Sequence, residues 1–181
     1  VEIYDQLDTV KVFVQVTDDF PIDSKLSDLD YETYLSNASA EAINVGLESE
    51  LDTIAINYTS GTTGLPKGVE YHARGAYLAG IGEALECSMN WKTRYLWTLP
   101  MFHCNGWGYP WTIPMLNGKT VCLRAIDVKK IFELIEKHEI THFGGAPIVL
   151  NMITGASQSD IKELKHKVYV LTAGAPPPSI I

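Results

Sequence analysis

The sequence predicts an α/β fold, a parallel-rich sheet flanked by helices, on three observations. Short apolar runs at 53–58, 94–99, 119–123, 141–144 and 168–172 recur with helical patterns between most of them, the signature of strands joined by crossovers. The span 127–138 is amphipathic, with Asp127 as N-cap and Val128, Ile131, Phe132 and Ile135 on one face. Pro147 stands at a first helical position, opening a helix to 153 with Gly155 just past its end.

Taken in order, Val10, Val12, Val14 and Val16 alternate with Lys11, Phe13 and Gln15, which predicts a half-buried strand. The acidic span 18–30 reads as an exposed loop, 31–36 as a short helix, and 41–52 as a solvated face. The run 53–58 (TIAINY) delivers the chain into a glycine-rich loop, and 71–89 reads as a helix. In that helix Ala76, Gly80 and Ala84 recur four apart, beside a stripe of Tyr77, Ile81, Leu85 and Ser88. Glycine costs about 1 kcal/mol in a helix interior, so Gly80 predicts close packing against the sheet. The segment 105–116 is aromatic and interrupted by prolines.

Its 181 residues suffice for one globular domain with a real core. A net charge of −8 argues against nucleic acid and anionic membrane as partners. Any anion site must then be locally positive. Three scattered cysteines, Cys87, Cys104 and Cys122, show no metal-ligand spacing and suit a reducing cytosol with free, buried thiols. No run is apolar and long enough to span a membrane.

The loop 58–69 reads YTSGTTGLPKGV. Gly61, Gly64 and Gly68 let the backbone bring N–H groups against an anion, and Thr59, Ser60, Thr62 and Thr63 offer rotating hydroxyl donors. Lys67 adds a full charge behind Pro66. A P-loop would need Gly-Lys followed by Ser or Thr at a helix start, and here Gly68 follows the lysine. The structural reading of such a loop is a solvated turn. Its order and spacing instead resemble the phosphate loop of the adenylate-forming (AMP-binding) enzymes.

Three further stretches carry the same resemblance, which spans roughly 53–178. LPMFHCNGW at 99–107 is similar to the family's acyl-substrate motif, THFGGAPIVLNM at 141–152 to the strand and helix lining its acid pocket, and TAGAPPP at 172–178 to the segment along adenine. The wording resembles acyl-CoA synthetases for small, medium-chain or aromatic acids. The resemblance implies that Thr59, Ser60, Gly61, Thr62, Thr63, Gly64, Lys67, Gly174, Ala175 and Pro176 bind ATP. It implies His103, Trp107, Gly144 and Gly145 at the acid, with His103 and Lys67 catalytic. Read alone, His103 is a core histidine and Trp107 and Trp111 are core aromatics; the place of His103 between Pro100 and Gly106 favours the site reading. Cys104 reads as a small apolar residue, and His72, His138, His142 and His166 show no metal spacing. The family commonly has a His-Arg pair after the loop, where this chain has Ala73-Arg74.

The reaction the resemblance implies is attack of a carboxylate on the α-phosphate of ATP with loss of pyrophosphate and Mg²⁺ bridging phosphates, after which the thiol of CoA displaces AMP from the acyl adenylate. The start at Val1 and the stop at Ile181 lead to the expectation of a single partial domain, 1–181, cut from the large N-terminal domain. On that expectation the Mg²⁺ ligand and the small C-terminal domain lie elsewhere, and the piece alone is inactive and open to homo-oligomerisation. The alternatives are a non-catalytic nucleotide-binding module and a luciferase-like adenylating oxygenase.

Overall fold

A computed structural model describes residues 9–18, 25, 27–43, 45–59 and 64–174. The chain divides into two compact units, Val1–Gly46 and Leu47–Ile181.

In the first unit the expected valine strand does not form. Val10, Val12, Val14 and Val16 are all exposed, whereas Phe13 and Gln15 are half-buried. The alternation was real, but the opposite face is the covered one, and among the described residues its backbone pairs through a parallel bridge between Gln15 and Asp30. The Asp30 carboxylate also accepts from the Glu32 and Thr33 amides, capping helix α1, Tyr31–Ser36, as the pattern predicted.

The second unit opens with an antiparallel pair, β1 (Thr53–Tyr58) and β2 (Gly68–His72). The second strand corrects the sequence reading, which began a helix at Tyr71. Helix α2 runs instead from Ala73 to Glu86, with the His72 ring accepting from the Gly75 amide at 2.9 Å. Gly80 is buried as expected, but against helix α4 (Tyr109–Met115) rather than the sheet. An added Cβ would lie 3.3 Å from Thr112 Oγ1 and Met115 Cε. The neighbouring stripe is not core, since Tyr77 and Leu85 are exposed.

The remaining strands, β3 (Arg94–Trp97), β4 (Lys119–Cys122), β5 (His142–Gly144) and β6 (Tyr169–Leu171), form a parallel sheet in the order β4-β3-β5-β6. Helices α5 (Val128–His138) and α6 (Pro147–Thr154) lie where predicted, with Asp127 capping α5 through the Lys130 amide. Alternation along β3 divides the core in two. Leu96 joins Phe143, Ile131, Leu134, Ile135 and Leu150 on one face. Tyr95 and Trp97 join Met89, Leu99, Tyr109 and Ile113 on the other. Apolar burial on both faces of a parallel sheet is what helical crossovers require. The cysteines are free as expected, but Cys104 and Cys122 are exposed rather than buried.

Candidate active site

The strand order reverses beside β3. The chain leaves β3 through α4 toward β4 on one side, then returns past β3 to reach β5 on the other. The two crossovers cover opposite faces, because α4 belongs to the cluster around Tyr95 and α5 to the cluster around Leu96. The carboxyl ends of β3 and β5 therefore part company, and in open α/β sheets the crevice at such a reversal is where ligands bind.

Three residues build the floor of this crevice. Thr98 is buried, and its hydroxyl donates to the Gly144 carbonyl. Gly144 has no room for a side chain: an added Cβ would lie 2.9 Å from both Leu99 Cδ1 and Tyr95 Oη. The Gly145 amide donates to the Leu171 carbonyl at 2.8 Å, tying β5 to β6. Gly144 and Gly145 are thus buried in strand-end packing. Beside them lies a cleft of about 360 Å³, lined by Thr98–Pro100, Leu123–Ile126, and Ala146, Ile148 and Val149, a size suited to a small ligand.

From β3 the chain runs into an unusual turn. Cys104, Asn105, Gly106, Trp107 and Gly108 all have positive φ, from 43° to 82°, so helix α3 (Cys104–Trp107) is one turn of left-handed winding. Left-handed conformation costs roughly 1–2 kcal/mol for each non-glycine residue, so this turn needs external support. Gly106 supplies part of it by letting the Trp97 ring approach, since an added Cβ would sit 2.7 Å from Trp97 Cζ2. Trp107 is half-buried against the cluster of Tyr95, Trp97 and Tyr109. His103 precedes the turn with an exposed side chain, and its carbonyl accepts from the Gly106 amide at 2.9 Å. The reading of His103 as a core histidine is therefore set aside.

The glycine loop spans the end of the β1–β2 hairpin. The Thr59 amide donates to the Lys67 carbonyl at 3.0 Å, closing its mouth, and Gly64 and Lys67 are exposed. Ser60, Gly61, Thr62 and Thr63 lie outside the described residues, as do Ala175 and Pro176. Gly174, at φ 90°, follows β6 on the same edge as Thr98 and Gly144. Among the described residues, no hydrogen bond or ion pair joins Thr59 or Lys67 to His103 or Gly174. Arg74 is engaged by Glu50 at 2.9 Å, and the His72 ring is used as a helix cap.

Behind the turn lies a polar cluster that sequence reasoning missed. The Thr112 hydroxyl donates to Glu83 Oε2 at 2.5 Å. Burial raises the Glu83 carboxyl above its usual range, partly offset by that bond. Burial likewise raises Cys87, Tyr95 and Tyr109, keeping them protonated. His142 is a satisfied core histidine: Nε2 donates to the Cys87 carbonyl at 3.0 Å, Nδ1 accepts from Thr141 at 2.8 Å, and the ring stacks on Tyr169. Burial pushes its pKa down. The only sequence hint of Thr98, Glu83 and Thr112 was a polar residue inside an otherwise apolar stretch.

Comparison with known proteins adds identity to this geometry. The family model described as AMP-binding enzyme matches residues 5–181. The acetate/butyrate–CoA ligase AAE7, peroxisomal, of Arabidopsis thaliana is 45% identical over 155 residues, covering 84% of this chain and 27% of its own length. The peroxisomal benzoate–CoA ligase of the same plant is 38% identical over 167 residues, covering 90% and 29%. The inhibitor-bound N-terminal domain of FACL13 from Mycobacterium tuberculosis superposes with a TM-score of 0.74 at 26% identity, covering 84% of this chain and 39% of that one. The chain thus spans under a third of the length of these two curated relatives.

Proposed function

Because the chain belongs to the AMP-binding enzyme family, we propose that it takes part in ATP-dependent activation of a carboxylic acid, followed by transfer of the acyl group to CoA. The observation that carries this reading is the crevice at the β3–β5 reversal, with an apolar cleft beside it and His103 exposed on the segment that leaves β3. The names of the relatives, ligases of acetate or butyrate and of benzoate, support an acid that is short or aromatic.

Both reactants of the first step are anions, so the protein must offset charge and hold the groups in line. In this reading Lys67 and the hydroxyls of the hairpin loop hold the β- and γ-phosphates, a role that the exposure of Lys67 at the hairpin end supports. His103 orients the carboxylate toward the α-phosphate. Trp107, together with Gly144 and Gly145, shapes the acid side, the glycines acting through the backbone. Among the described residues no three His, Cys, Asp or Glu side chains converge, so no step is assigned to a metal held by them. Mg²⁺ would arrive with the nucleotide and neutralise phosphate charge. Free, partly exposed cysteines support a reducing compartment, the cytosol.

The test is ATP, Mg²⁺, CoA and a mixed pool of short and aromatic acids, with thioesters read by mass spectrometry. Acyl-CoA dependent on ATP supports the reading. Nucleotide binding without acid-dependent pyrophosphate exchange would replace it with a binding module.

A further inference from the structure

The left-handed turn is held from two sides, and only one of them is the Trp97 ring. On the other side, Glu83 Oε1 lies 2.5 Å from where a Cβ on Gly108 would be, so the carboxylate fills the space that this glycine leaves open. Its other oxygen takes the Thr112 hydroxyl, while the Thr112 amide donates to the Gly108 carbonyl at 3.1 Å. Glu83, Gly108 and Thr112 thus form a closed three-cornered contact at the point where left-handed winding gives way to α4.

A half-buried carboxylate is an expensive way to fill space. An apolar side chain would pack there without desolvating a charge, but it could not fix Thr112 and Gly108 together. The carboxylate also stands on α2, the helix that leaves β2 of the glycine-loop hairpin. It therefore connects the element after that loop to the turn after His103. None of the roles assigned above accounts for it.

We propose that Glu83 is a positioning residue: clamped to Thr112 and seated on Gly108, it holds the 104–108 turn so that His103 and Trp107 face the acid. The inference rests on the functional reading above. It predicts that the turn loosens when the clamp is cut, while the nucleotide end is unaffected.

Amide hydrogen exchange on the intact protein tests the clamp without reference to activity. In Glu83→Ala, peptides covering 102–112 should exchange at least about tenfold faster, with peptides from α5 unchanged. Kinetics of acid-dependent pyrophosphate exchange test the positioning: the KM for the acid should rise about tenfold or more, while the KM for ATP stays within about twofold. Glu83→Gln, which keeps an acceptor for Thr112, should restore both. Thr112→Val, which removes the donor, should reproduce the defect, and it decides the matter if Glu83→Ala does not fold. Unchanged exchange over 102–112, or a normal acid KM in folded Glu83→Ala and Thr112→Val, would overturn the inference. So would a loss that falls equally on acid and ATP. A wild-type protein without acid-dependent exchange would remove the functional reading, and this inference with it.

Discussion

The Thr98 hydroxyl donates to the Gly144 carbonyl, joining the carboxyl ends of β3 and β5 where their continuations separate to opposite faces of the sheet. Both residues are buried, so neither group can turn to water instead. Thr98→Val keeps the shape and deletes the donor, leaving a buried carbonyl unpaired. Such a loss costs about 1–3 kcal/mol, and urea unfolding should show it as a lower midpoint at unchanged slope. An unchanged midpoint would mean that the carbonyl finds another partner.

The buried ring of His142 makes a prediction about pH. Its folded-state pKa is depressed by burial, so the unfolded chain takes up a proton first on acidification. The stabilising neutral form is fully present above the unfolded value of about 6.5 and is lost as pH falls below it toward the folded pKa. Melting temperature should therefore decline between pH 7.5 and 5.5, and His142→Gln should flatten that decline while lowering stability through lost stacking on Tyr169. Parallel pH curves for the two proteins would contradict this.

Glu83 carries the opposite sign. Burial raises its folded pKa, so its extra stability is present below the unfolded value of about 4.3 and is lost as pH rises through the folded pKa. At neutral pH the ionised carboxylate opposes folding. Glu83→Gln should match or exceed the wild-type melting temperature at pH 7, and the gap should close as pH falls toward 4. A variant less stable at pH 7 than at pH 4, relative to wild type, would refute the assignment.

Helix α5 was legible because its apolar stripe, its Asp127 cap and its length all agree. The parallel sheet, though not its strand order, followed from helices between strands. The strand Gly68–His72 was not legible, because Gly68 and the following helix signals masked a pairing set by the partner Thr53–Tyr58. Alternating valines at 10–16 promised a buried face that no partner supplies among the described residues. The left-handed turn was only partly legible: Asn105, Gly106 and Gly108 favour positive φ, but Cys104 and Trp107 carry no such preference, and the packing of Trp97 and Glu83 against the glycines shows only in the structure. Of the candidate site, the motifs at 99–107 and 141–152 were read from residue order, whereas Thr98 and Glu83 emerge only once strands and helices are in place.

Lys67 stands exposed at the end of the hairpin. If it bonds a phosphate oxygen, Lys67→Ala removes a charge-assisted hydrogen bond of about 1.5–3 kcal/mol. ATP affinity should fall by about one to two decades, with the melting temperature nearly unchanged because an exposed side chain is lost. Equal nucleotide affinity in the two proteins would take Lys67 out of the site.

Acid-dependent ATP–pyrophosphate exchange by His103→Ala, with nucleotide affinity and melting temperature taken on the same preparation, decides whether His103 serves the acid. His103 is exposed on the segment that leaves β3, so its removal should spare folding. An orienting group acts on the reacting acid rather than on bound nucleotide, and general positioning effects of this kind amount to about two decades or more in rate. The predicted result is exchange reduced at least about a hundredfold, with ATP binding within about threefold of wild type. Normal exchange in a folded His103→Ala protein would take His103 out of the acid site.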